Sequence, residues 1–234
     1  MISGIFVSER IRTWRRRPRR VLLAAALAIA TPGCSYSSEP ETKSTPASAL
    51  CAGTLDTAAA DALHRLAGTD KFTEDSGGGA SGRPRQFSLK WATAHLHDDG
   101  IRPAECGIQK AKSYGEYWAF NLDFTAVPSL PTRDRTAASF PVTRFGPLTY
   151  FPLGATAYVQ GNLATLYFTC RTRGNGEETE YVEAHSSTEG HIEGSSKAKD
   201  RITILNSVSR RLAKELGCES EANLPTVVPD PDTK

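Results

Sequence analysis

The most conspicuous apolar run in this 234-residue chain, VLLAAALAIA at residues 21–30, is ten residues long, half of the about 20 that a bilayer-crossing helix needs. No cysteine stands in a C-x-x-C or C-x-x-H spacing, which removes the usual signals of a zinc or dithiol redox site. Nor is there a G-x-S-x-G elbow, and the glycine-rich GGGASGR at 77–83 lacks the Gly-Lys-Ser/Thr ending of a phosphate loop. It reads as a flexible loop. No internal repeat is visible, so a solenoid or propeller is excluded.

What the sequence does contain is an export signal. Seven arginines crowd residues 10–20 against the single acid Glu9, and the ten-residue apolar run follows directly. A basic stretch, a short apolar core and a small-residue break, Thr31-Pro32-Gly33-Cys34, define a signal peptide over residues 1–33. Gly33-Cys34 resembles the lipobox of bacterial lipoproteins, which implies that Cys34 is acylated by palmitate-type chains and becomes the mature N-terminus. Thr31 and Pro32 depart from the Leu and the small residue usual there, so cleavage by an ordinary signal peptidase, giving a secreted protein, stays open. Arg19-Arg20-Val21-Leu22-Leu23 also resembles a twin-arginine signal, and both export routes stay open.

Removing residues 1–33 changes the charge of the chain from +2 to −4, with 21 basic against 25 acidic residues. An acidic mature protein has no electrostatic footprint for nucleic acid. Setting Cys34 aside leaves Cys51, Cys106, Cys170 and Cys218, an even number that reads as two disulfides in an oxidising compartment. Four cysteines permit three connectivities, and all stay open; pairing the two cysteines outside the terminal helices, and the two inside strands, favours Cys51 to Cys218 and Cys106 to Cys170. Residues 34–50 are rich in Ser, Thr and Pro and read as a tether with a reach on the order of 20 Å. Residues 51–224 suit one domain, and the proline-bearing tail 225–234 is expected to be disordered.

Within the domain, Leu55, Ala59, Ala62, Leu63, Leu66 and Ala67 recur at helical spacing, with Thr54 or Asp56 to cap the start and Gly68 to end it. Pro84 can open a second helix carrying Phe87, Leu89, Trp91, Ala92, Ala94 and Leu96. The period then falls to two. Trp118, Phe120, Leu122 and Phe124 alternate with mostly polar residues, predicting an antiparallel strand with one wet face, partnered by 105–111 across a turn at 112–115. ATAYVQ and LATLYFTCRTR flank Gly161-Asn162, a type II′ hairpin signal, and TEYVEAHS at 179–186 gives a fifth strand. Ile202, Leu205, Val208, Leu212 and Leu216 mark a C-terminal helix from about Ala198 to Gly217. The expected fold is α+β: an antiparallel sheet of about five strands, with two N-terminal helices and one C-terminal helix on one face.

Chemistry-bearing residues are sparse. His95 and His97 lie in His95-Leu96-His97-Asp98-Asp99, but positions i and i+2 of a helix point about 200° apart, so the pair reads as a polar helix end. Glu177, Glu178, Glu180 and Glu183 read as a solvated hairpin edge. The long segment 128–152, with Phe140, Phe145, Tyr150 and Phe151, reads either as functional or as a loop covering a sheet edge. No catalytic residue, metal ligand or cofactor site is assigned.

Cys-Ala-Gly-Thr-Leu-Asp before the first helix, Gly-Thr-Asp-Lys-Phe after it, Tyr-Phe-Thr-Cys-Arg in the late strand and Ala-Lys-Glu-Leu-Gly-Cys at the end complete the pattern. With these the chain resembles the small lipoproteins of actinomycetes, Streptomyces-type, over most of residues 51–224. That family is largely of unknown function, so the resemblance implies a location at the outer face of the cell membrane and supplies no site residues. The expectation is an extracytoplasmic module that binds a small molecule or an envelope protein. An envelope hydrolase without a recognisable motif and a structural envelope component are the alternatives.

Overall fold

The computed structural model describes residues 44–74, 86–98, 106–111, 119–133, 136, 146–189 and 197–232. The expected signal peptide, Cys34, the expected loop 77–83 and turn 112–115, Trp118, Phe140 and Phe145 lie outside the described residues. The folded chain starts before Cys51. Thr45 N–H donates to Phe72 O at 2.7 Å, and Leu50 is fully buried, so the last part of the expected tether belongs to the domain.

Helix α1 spans Thr57–Ala67 because Asp56 accepts from Ala59 N–H at 3.0 Å, while Gly68, at φ 68°, ends it in the left-handed conformation. Its apolar stripe, Ala59, Ala62, Leu63, Leu66 and Ala67, is buried. Helix α2 is shorter than expected, Leu89–Ala94, and is capped by Ser88 rather than opened by Pro84. Helix α3, Ala198–Glu215, buries Ile202, Leu205, Val208 and Leu212. A short helix α4, Glu219–Ala222, follows it. No described helix is long and apolar enough to cross a membrane.

Among the described residues the sheet has seven strands where five were expected: β1 Phe72–Glu74, β2 Cys106–Lys110, β3 Ala119–Val127, β4 Leu148–Phe151, β5 Thr156–Gln160, β6 Leu163–Gly174 and β7 Glu177–Glu189. They pair antiparallel in the order β1-β2-β3-β7-β6-β5-β4. The two extra strands, β1 and β4, form the edges; three and four residues are too few to show a period of two. Gly161 alone of the β5–β6 turn pair has positive φ, 57°, as a type II′ turn requires. Both Asn175 and Gly176 have positive φ, so a type I′ Asn-Gly turn joins β6 to β7.

Antiparallel alternation splits the sheet into two faces. Phe120, Leu122 and Phe124 of β3, Ala164, Leu166, Phe168 and Cys170 of β6, and Val182 and Ala184 of β7 point into one core shared with the buried stripes of α1 and α3. Between the helices the contact is partly polar. Ser207 donates to Thr54 O and accepts from Asp56 N–H, both at 2.9 Å, and Arg210 reaches Asp56 at 3.3 Å.

The expected disulfide pairing is overturned: the bridges are Cys51–Cys106 and Cys170–Cys218, with Cα atoms 5.7 and 5.4 Å apart. Strand order is the reason. Cys106 on β2 and Cys170 on β6 are three strand spacings apart, about 14 Å, well beyond the reach of a disulfide. Because α3 lies on β5, β6 and β7, its end instead brings Cys218 onto Cys170.

Residues 225–232 were expected to be disordered; they run back along α3 to the β4 edge. Asn206 Nδ2 donates to Pro225 O at 2.8 Å, Val228 is buried, Lys199 pairs with Asp230 at 2.6 Å, and Asp232 N–H donates to Tyr150 O at 2.9 Å. Three prolines suggested a chain with nothing to bury. The signal missed was Val228 between them.

Candidate functional site on the open face of the sheet

The face of the sheet turned away from α1 and α3 carries the odd-numbered residues of β3, β6 and β7. Register places them in rows. Tyr150 of β4 pairs with Tyr158 of β5, Tyr158 with Thr165 of β6, Thr165 with His185 of β7, and His185 with Asp123 of β3. In the adjacent row Tyr167 of β6 pairs with Glu183 of β7, and Glu183 with Thr125 of β3. Directly opposed side chains on one face of an antiparallel pair lie close enough to interact, so five strands bring these groups into one array.

The contacts run across it. His185 Nδ1 lies 3.3 Å from Asp123 Oδ2, and Tyr167 hydrogen-bonds to Glu183 on one side and Tyr158 on the other. Tyr158 also bonds to Thr165, and its ring lies 5.9 Å from that of Tyr150. The guanidinium of Arg133 sits 4.5 Å from the Tyr150 ring centroid and pairs with Asp232 at 3.3 Å. Tyr158, Thr165 and Tyr167 are buried, whereas the side chains of His185 and Asp123 keep 31% and 41% exposure. The array therefore opens to solvent at the β3–β7 end.

Burial and charge set the proton affinities. Burial pushes the Glu183 carboxyl above its ordinary range, helped by the Asp123 charge and opposed by the Tyr167 hydrogen bond and by His185. For His185, burial acts to lower the imidazole pKa, but the hydrogen bond and charge of Asp123, together with Glu183, overcome it and the net direction is upward. The Tyr167 phenol is driven far up by burial and the neighbouring Glu183, and Tyr158 is raised by burial. The array can accept and donate hydrogen bonds, and two of its members exchange protons more readily toward neutral pH than free side chains of their kind do.

Of the residues singled out from sequence, Glu183 alone of the four glutamates is in the array, and it lies in a central strand instead of at an edge. Glu177, Glu178 and Glu180 are exposed near the hairpin tip, where Glu178 pairs with Arg173 at 2.8 Å. His95 stacks on Trp91 with ring centroids 4.1 Å apart, and its Nδ1 lies 2.8 Å from Trp91 O. His97 faces away from it, its Nε2 3.0 Å from Thr172 Oγ1. Among the described residues no group of three His, Cys, Asp or Glu is placed to hold a metal ion. In the segment 128–152, Tyr150 joins the array and Phe151 is buried in the core, so this part is an edge strand.

Asp123, Thr125, Tyr158, Thr165, Tyr167 and His185 were not recognised. Their signal lay in the alternate positions of four predicted strands, odd in β3, β6 and β7 and even in β5, which the order β3-β7-β6-β5 aligns on one face. No protein-family model, curated protein or solved structure matches this chain.

Proposed function

We propose that the chain is exported, is anchored through acylated Cys34 at the outer face of the membrane, and binds a small molecule or an envelope partner on the open face of its sheet. One observation carries the binding reading: Tyr150, Tyr158, Tyr167, Glu183, His185 and Asp123 converge from five strands on the face turned away from α1 and α3. A merely solvated face would be expected to carry scattered, exposed polar side chains; this one holds partly buried groups with altered proton affinities, as ligand-binding sites commonly do. The arginine-rich leader, its short apolar core and Gly33-Cys34 support the location, as do two disulfides, which persist in oxidising compartments.

Two experiments test the halves separately. Labelling of cells with an alkyne fatty acid tags the wild type and not Cys34→Ala; equal labelling of both contradicts the anchor. Protein purified from native membranes carries a molecule or partner, identified by mass spectrometry, that a Tyr150→Ala, Glu183→Gln variant loses. Equal recovery by both proteins contradicts the assignment of the face.

A further inference from the structure

His185 occupies a singular place in the array. It is flanked by Glu183 and Ser187 of its own strand, faces Asp123 of β3 at 3.3 Å, with Asn121 and Thr125 beside that residue, and is opposed from β6 by Thr165, with Tyr167 beside it. Tyr158 of β5 and Tyr150 of β4 complete the row. Among the described residues no lysine or arginine pairs with Asp123 or Glu183, and the nearest guanidinium in the row, that of Arg133, is engaged by Asp232 and the Tyr150 ring. Among the described residues the imidazole is therefore the one group on this face that can supply positive charge between the two carboxylates, and it does so only when protonated.

We propose that His185 is a proton-operated latch: as imidazolium it ties β7 to Asp123 of β3 and shields Asp123 from Glu183, and on losing its proton to solvent it leaves the two carboxylates to repel and the exposed end of the array to loosen. The geometry gives the latch a direction. Asp123 and Glu183 sit on diagonal cross-strand positions of β3 and β7, near enough to interact. Among the described residues no other cation offsets their mutual repulsion once the imidazole is neutral. The raised proton affinity of His185 agrees with this, since the hydrogen bond and charge of Asp123, with the charge of Glu183, outweigh burial. That of Glu183 comes first from burial, with the Asp123 charge adding to it. The open end, where His185 and Asp123 keep part of their exposure, is where a ligand would enter, so acid closes the face and alkali frees it. This goes beyond the binding reading and holds whether or not a ligand is found.

The test is NMR titration of the imidazole resonances of the intact disulfide-bonded domain, with His185 assigned by its loss in His185→Gln. The wild-type His185 midpoint lies above the about 6.5 of a free imidazole. Asp123→Asn brings it down, since the hydrogen bond and charge that raise it are gone. Amide exchange around the β3–β7 pairing at Asp123 and His185 speeds up several-fold across the same midpoint in the wild type, and loses that dependence in Asp123→Asn. A His185 midpoint at or below the free value, or one unmoved by Asp123→Asn, overturns the latch. So does amide exchange that is indifferent to the His185 proton.

Discussion

Cys170 of β6 is bonded to Cys218, one residue beyond Gly217, so the end of α3 is pinned to a strand three places away in the sheet from β2, which holds the other bridge. The two bridges thus staple opposite halves of the sheet. Each closes a loop of similar length, with separations of 55 and 48 residues. In the chain-entropy model a loop of that size is worth about 4 kcal/mol, with measured values of about 2–5 kcal/mol for native bridges. A non-reducing tryptic map recovers Cys51 linked to Cys106 and Cys170 linked to Cys218, and Cys170→Ala, Cys218→Ala lowers the unfolding free energy by an amount in that range. A peptide joining Cys51 to Cys218 refutes this topology.

Gly174 is fixed by a close approach. A Cβ built there would stand within 3 Å of three His97 side-chain atoms, and Asn175 Nδ2 donates to His97 O at 2.7 Å beside it. Gly174→Ala costs about 1–3 kcal/mol in a denaturant melt, the usual range for overpacking. His97→Ala in the same chain recovers part of that loss, since it removes the ring atoms Cγ and Cδ2 and leaves only Cβ in the way. Additive losses would show that the two residues do not meet.

The helices and central strands were legible in sequence because each carries its own period and its own ends: Asp56 and Gly68 bound α1, and Gly161-Asn162 fixes the β5–β6 hairpin. Asn175-Gly176, a still stronger hairpin signal, was available and went unread. β1 and β4 were too short to show a period, and β4 lies within a stretch rich in proline. The disulfide pairing and the candidate site needed the order of the strands. Cys51 reaches Cys106, and His185 reaches Asp123, across 55 and 62 residues of sequence, and composition does not encode those adjacencies locally.

The C-terminal strap protects an edge. Val228 is buried and Asp232 bonds to Tyr150 O on β4, the outer strand. Ending the chain at Pro225 removes the burial of Val228, worth about 1.5–3 kcal/mol, and bares an edge able to pair with another copy. Thermal melts show the lower stability, and sedimentation velocity shows concentration-dependent association. A truncated chain as stable and as monomeric as the full one would remove the strap from the account.

Stability should fall as pH rises through the range where the array loses its protons. His185 has a raised folded pKa, so its contribution is fully present below the unfolded value of about 6.5 and is lost as pH passes the folded one. Glu183, also raised, is destabilising once the unfolded chain ionises above about 4.3, because the folded carboxyl still holds its proton there. Glu183→Gln therefore raises the melting temperature relative to wild type at pH 8 and changes it least at pH 4. The opposite order would mean that the folded protein favours the charged carboxylate.

The central claim is that the open face of the sheet is the working surface. Its most direct test is chemical-shift mapping of the labelled domain on addition of a small-molecule extract of the native envelope. The account predicts shifts concentrated at Asp123, Tyr150, Tyr158, Tyr167, Glu183 and His185, with the α1 and α3 resonances unmoved. Shifts confined to the helices or the β6–β7 hairpin tip, with that face silent, would contradict it.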